Sequence, residues 1–172
     1  NEGFSMAAEE LCYPGAVAEQ GYLGAFAGSD KVKNGMSYCN FDTSASDVSA
    51  YGQSFLFAQY LKAQFGEDVF KTFLDYWREA REPEDLTVAS AIESLMTDEQ
   101  RAAYEALAAY TDGVTASFET EHDELLSKFA LGFHLAVAIK QPEGMFSIGE
   151  VNPVIGMAVD QDKYVVAGVA EE

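Results

Sequence analysis

The stretch DVSAYGQSFLFAQYLKAQFGEDVFKTFLDYWREA (residues 47–80) decides the fold class. Tyr51, Phe55, Ala58, Leu61 and Phe65 recur at alternating steps of four and three, the spacing that lines one face of an α-helix. Gly66 supplies the stop, because glycine accepts the backbone conformation in which helices commonly end. A second amphipathic run follows over 67–80, with Glu67 and Asp68 in its first turn and Arg78 and Arg81 at its end. That charge order is the one a helix dipole favours. Two helices joined at one glycine predict a mainly α protein.

Downstream the same periodicity continues. REPEDL (81–86) breaks the pattern and TVASAIESLM (87–96) resumes it. TDEQ (97–100) reads as a capping box: Thr97 can accept from a free backbone N–H while Gln100 reaches back, opening a helix expected to run to about Tyr110. After TDG (111–113) the longest apolar-faced helix is expected over about 119–140, through EHDELLSKFALGFHLAVAIK. Its apolar core FALGFHLAVAI (129–139) is too short to span a bilayer and is interrupted by His134, so it reads as a buried helix. Gln141–Pro142–Glu143–Gly144 then closes the helical part. The tail changes character: MFSIGEV, VIGMAV and KYVVAGVA are short β-branched and apolar runs between turn signals, expected as two or three strands. Asp160–Gln161–Asp162 begins like a calcium loop, but the required Gly and closing Glu do not follow, and it reads as a hairpin turn.

Upstream, NEGFSMAAEELC (1–12) has Phe4, Ala7, Ala8 and Leu11 at helical spacing, with Glu9 and Glu10 expected to face away. No capping residue has room before Asn1, so the chain is expected to have been cut from a longer protein. Pro14 and Gly15 end this helix. A second, short helix is expected over 16–28, then an irregular surface loop rich in Ser, Asp, Asn and Gly over 29–47.

At 172 residues, 48% of them hydrophobic, the chain can bury one domain core. Twenty-nine acidic residues against ten basic ones give a net charge of −19, which repels nucleic acid and anionic membrane surfaces. Cys12 and Cys39 are either a disulfide of a secreted protein or two buried free thiols. Carboxylate pairs among Glu9, Glu10 and Glu19, or Asp42 and Asp47, lack anything that fixes the separation glycoside chemistry needs.

NEGFSMAAEEL (1–11) resembles the helix that carries the third zinc ligand in gluzincin metallopeptidases. AYGQSFLFAQYLKAQFGEDVFKTFLDYW (50–77) is similar to the segment of that clan that opens with Tyr-Gly and runs through one helix into the next. Secreted bacterial hyicolysin-like peptidases are the nearest group, and aminopeptidase-N-like enzymes are more distant. The resemblance implies a helical C-terminal subdomain of a zinc peptidase over 1–142 with a short β tail over 143–172. It also implies Glu2 as the third zinc ligand and Tyr51 as a phenol that donates to the developing oxyanion. Peptide or protein would be the substrate, and the location extracellular or at a bacterial cell surface.

The resemblance is incomplete in one respect. Zinc in such enzymes is held by two His from a His-Glu-x-x-His helix as well as by the Glu, and these 172 residues contain no such motif. The two histidines, His122 and His134, stand twelve apart, the first in an acidic stretch and the second on an apolar face, where it reads as a core histidine. One carboxylate does not hold Zn²⁺ by itself. The chain is therefore expected to be inactive alone and to need an upstream half of the catalytic domain as its partner. The alternative readings are a non-catalytic helical interaction or attachment module, and an unrelated helical domain.

Overall fold

The computed structural model describes residues 2–28, 48–80, 82, 87–107, 121–139 and 141–149. These residues are mainly helical, as the periodicity predicts. The helices are α1 (Glu2–Cys12), α2 (Ala16–Glu19), α3 (Tyr22–Gly28), α4 (Ser49–Phe65), α5 (Val69–Glu79), α6 (Val88–Leu95), α7 (Asp98–Ala106) and α8 (Glu121–Ile139).

The central element is α4. Its predicted apolar face is buried at Phe55, Ala58 and Leu61, but so are Ser49, Gln53, Gln59 and Tyr60 around the rest of the cylinder. The reason is that α1 and α3 flank it while α5 and α8 pack against it as well. Two glycines set how closely the flanking helices approach. A Cβ on Gly3 would lie 2.9 Å from the Ser54 carbonyl carbon, and one on Gly52 would lie 2.9 Å from both the Tyr22 carbonyl carbon and the Phe26 Cβ. Real Cβ atoms do not come so near to backbone, so α1 crosses α4 at Gly3 and α3 crosses it at Gly52 because both residues are glycine.

α4 ends as expected, at Gly66 with φ +92° and its N–H donating to the Lys62 carbonyl. Glu67 lies in the turn that follows and pairs with Lys62 at 2.8 Å. In α5, Phe73 is buried, and Phe70, Phe73 and Trp77 surround the ring of Phe4 from α1 at centroid distances of 4.9, 5.9 and 6.5 Å. The other half of the core lies between α4, α6, α7 and α8, where Ile92, Tyr104, Leu125, Phe129, Phe133 and Val137 are buried.

Helix starts follow local chemistry. The Thr97–Gln100 capping box is present, with Thr97 Oγ1 accepting from the Gln100 N–H at 3.2 Å and Gln100 Oε1 accepting from the Thr97 N–H at 3.0 Å. The start of α6 carries a second box built on Thr87 and Ser90.

Several expectations are corrected. Cys12 is exposed at the surface rather than buried, and Glu67 and Asp68 precede α5 instead of lying in its first turn. The helix expected over 16–28 is two, broken at Gly21, whose φ of +77° stops the helical run. The buried face of α1 is Met6 and Ala7 rather than Ala8 and Leu11, and Leu11 is 57% exposed, because the close approach at Gly3 turns that face toward α4. Glu9 and Glu10 do not simply face away. The Glu10 carboxylate accepts from the backbone N–H groups of Gly15 (2.7 Å) and Val17 (3.2 Å), and Glu9 accepts from the Gln20 amide (2.9 Å). Finally, residues 145–149, the described part of MFSIGEV, form turns and not a strand. The remaining tail, the 29–47 loop with Cys39, Asp42 and Asp47, and the side chains of Glu19 and His122 lie outside the described residues.

Candidate functional site

Glu2 and Tyr51 belong to the same corner of the fold. Glu2 opens α1, its side chain exposed, one residue before the contact of Gly3 with Ser54. Tyr51 sits one turn before Ser54 on α4, half-buried. Both therefore lie within about a helical turn of one crossing. The Tyr51 ring stacks on Tyr22 of α3, with centroids 5.2 Å apart and planes inclined by 25°. Chemically, the corner offers one carboxylate, able to accept hydrogen bonds or ligate a cation, and one phenol, able to donate. No group of three His, Cys, Asp or Glu side chains that could hold a metal occurs among the described residues. A zinc peptidase site needs three protein ligands, so the described residues do not make up such a site by themselves.

Two other ionisable residues have structural surroundings that bear on the sequence readings. Each oxygen of the Glu10 carboxylate accepts from a backbone N–H group, which gives this side chain a structural role at the start of α2. His134 leans on Phe133 with centroids 5.5 Å apart, and burial holds its pKa down at about 4. It is a half-buried imidazole, neutral near pH 7.

A second polar locus was not visible in the sequence. Tyr60 of α4 and Tyr104 of α7, both buried, join hydroxyls at 2.7 Å. Tyr60 donates to the Met145 carbonyl at 2.8 Å, which leaves its oxygen to accept from Tyr104. Gln64 Oε1, 3.2 Å from the Tyr104 hydroxyl, is a second acceptor for the same proton. The Gln64 amide donates to the carbonyls of Gly144 (3.0 Å) and Ser147 (3.2 Å), while Gln100 donates to the Gln64 carbonyl (3.0 Å). The network thus ties the segment after α8 onto α4 and α7. Beside it is a cleft of about 290 Å³ with Ala63, Glu99, Ala103 and Gly144 in its wall. Burial pushes the Tyr104 pKa up to about 12, with the Tyr60 hydrogen bond opposing it, so at neutral pH the phenol is protonated and serves only as donor and acceptor. The sequence signal for this locus was no more than a pair of polar-tipped aromatics within helical segments.

Among the described residues no helix is long and apolar enough to cross a membrane. No family model, curated protein or solved structure matches the chain.

Proposed function

We propose that the chain is the C-terminal helical part of a secreted bacterial zinc peptidase of the gluzincin type. In this reading Glu2 is a metal-ligating carboxylate, Tyr51 is a phenol beside the scissile carbonyl, and peptide or protein is the substrate. The two His ligands and the general base come from a His-Glu-x-x-His helix preceding Asn1, so the partner of this chain is the upstream half of the catalytic domain. The observation that supports the reading is the close approach of Gly3 to Ser54. It brings Asn-Glu-Gly and Tyr-Gly to one helix crossing, since the exposed carboxylate precedes one side of the contact and the phenol lies a turn from the other.

Zinc, when bound, supplies a water whose pKa is low enough for attack at neutral pH. The chain's own residues have narrower tasks. Glu2 holds one coordination position from the first turn of α1. Tyr51 donates a hydrogen bond to oxygen as it gains charge, an interaction worth several kcal/mol when the donor is well aimed (roughly 3).

The test is made on the full-length protein. It should contain about one zinc per chain, and its gene should encode His-Glu-x-x-His upstream of Asn1. Glu2→Ala should lose both zinc and proteolysis while keeping the helical far-UV circular dichroism. Unaltered proteolysis in Glu2→Ala overturns the role of Glu2. A zinc-free protein with no upstream motif leaves an interaction or attachment module.

A further inference from the structure

We propose that Tyr22 is a positioning residue for the Tyr51 phenol, and that Gly52 is what brings the two rings together; the inference rests on the peptidase reading of Tyr51 given above. Tyr51 is half-buried and packs against the edge of the core, where the Tyr22 ring forms one wall of its place. A Tyr side chain has two rotatable torsions, and a donor that swings about them loses most of its value to a transition state. The Tyr22 ring, stacked at 5.2 Å and 25°, blocks that motion on one face.

What makes Tyr22 a firm wall is the backbone beneath it. α3 is anchored by the buried side chains of Leu23 and Phe26, and the Tyr22 carbonyl and Phe26 Cβ rest directly on Gly52, the residue after Tyr51. Any side chain at 52 would lift α3 and separate the rings. The left-handed Gly21, with φ +77°, starts α3 at the position that sets Tyr22 opposite Tyr51. Tyr22 touches no substrate in this account. It acts through Tyr51.

The experiment is a double-mutant cycle in the full-length peptidase with a peptide substrate, reading kcat and KM separately. Tyr22→Ala is expected to lower kcat about tenfold with KM changed less than about twofold, as loss of aim in the transition state does. Tyr22→Phe keeps the ring and should keep kcat. In the Tyr51→Phe background, Tyr22→Ala should slow the enzyme by less than about twofold further, because the hydroxyl it aimed is gone. Tyr22→Leu, which keeps bulk without an aromatic plane, replaces Tyr22→Ala if the latter fails to fold. An unchanged kcat in Tyr22→Ala or Tyr22→Leu, equal damage from Tyr22→Phe, or losses that multiply with Tyr51→Phe each overturn the inference while Tyr51 stands. An unchanged kcat in Tyr51→Phe itself overturns the peptidase role of Tyr51, and the positioning role falls with it.

Discussion

Tyr60 and Tyr104 join hydroxyls across 2.7 Å, and Gly132 of α8 is the residue that leaves them room. A Cβ at 132 would stand 2.7 Å from both the Tyr60 hydroxyl oxygen and the Tyr104 Cε1. Neither ring can swing aside, since both are buried and each packs at 5.0 Å on Phe129. Gly132→Ala is therefore expected to destabilise the fold by about 2 kcal/mol despite adding a better helix former, because overpacking outweighs propensity here. A urea midpoint equal to or above that of the parent sequence would defeat this account.

The same pair predicts an alkaline limit. Unfolded Tyr104 ionises near pH 10, whereas the folded phenol holds its proton until about 12. Between those values the unfolded state has lost a proton that the native state keeps, so stability falls as pH rises, by up to about 1.4 kcal/mol per pH unit from this group. Tyr104→Phe costs roughly 1 kcal/mol at pH 7 through the lost hydrogen bond. It should also flatten the decline between pH 10 and 12. Parallel pH profiles in the two proteins would count against it.

His134 sets the corresponding acid-side dependence. Its folded pKa, about 4, lies below the ordinary histidine value of 6.5. As pH falls from 6.5 toward 4 the unfolded chain gains a proton that the native state refuses, and stability is lost across that window. His134→Gln removes the titration, so the stability difference between parent and variant should shift in favour of the variant as pH drops from 7 to 4. Direct titration of the imidazole by NMR gives the same answer: a midpoint near 6.5 would contradict burial as its environment.

Helix starts give a fourth set of expectations. Thr97→Ala and Thr87→Ala each remove an oxygen that accepts a backbone N–H, and each should cost about 1 kcal/mol in unfolding free energy. Glu10→Ala should cost a similar amount, about 1 kcal/mol, because two N–H groups at the Pro14–Gly15 turn lose their acceptor. Exposed Glu99→Ala, one residue from the Gln100 cap, is the control expected to stay within about 0.5 kcal/mol.

Features encoded within a few residues were legible. Gly66 and the Thr97–Gln100 box needed only their neighbours, and the periodicity of Tyr51 to Phe65 found α4. The Thr87–Ser90 box escaped because Ser stands where Glu or Gln is the familiar signal. The all-round burial of α4 escaped for a different reason. Gln53, Gln59 and Ser49 have the chemistry of an exposed face, and only the arrival of α1 and α3 covers them. MFSIGEV has β-branched, apolar character, yet its Met145 and Ser147 carbonyls are taken by Tyr60 and Gln64 rather than by a neighbouring strand. In the candidate site, Gly3 and Gly52 could be read as letters of a motif. Their physical task, close contact with backbone of a partner helix, depends on residues about fifty and thirty positions away and leaves no local trace.

That task separates Gly3 from its neighbour Glu2 in a way that stability measurements can resolve. Gly3→Ala drives a Cβ into the Ser54 carbonyl, and backbone cannot rotate away as a side-chain tip can. The variant should lose about 2 kcal/mol or more of stability as α1 is displaced from α4. Glu2 is exposed, so Glu2→Ala in residues 1–172 should change stability by less than about 0.5 kcal/mol. That outcome, an exposed carboxylate the fold does not need beside a glycine it does, would fit the ligand role proposed for Glu2. If Glu2→Ala unfolds the chain as severely as Gly3→Ala does, Glu2 is a structural residue, and its loss could no longer be read as loss of a metal ligand.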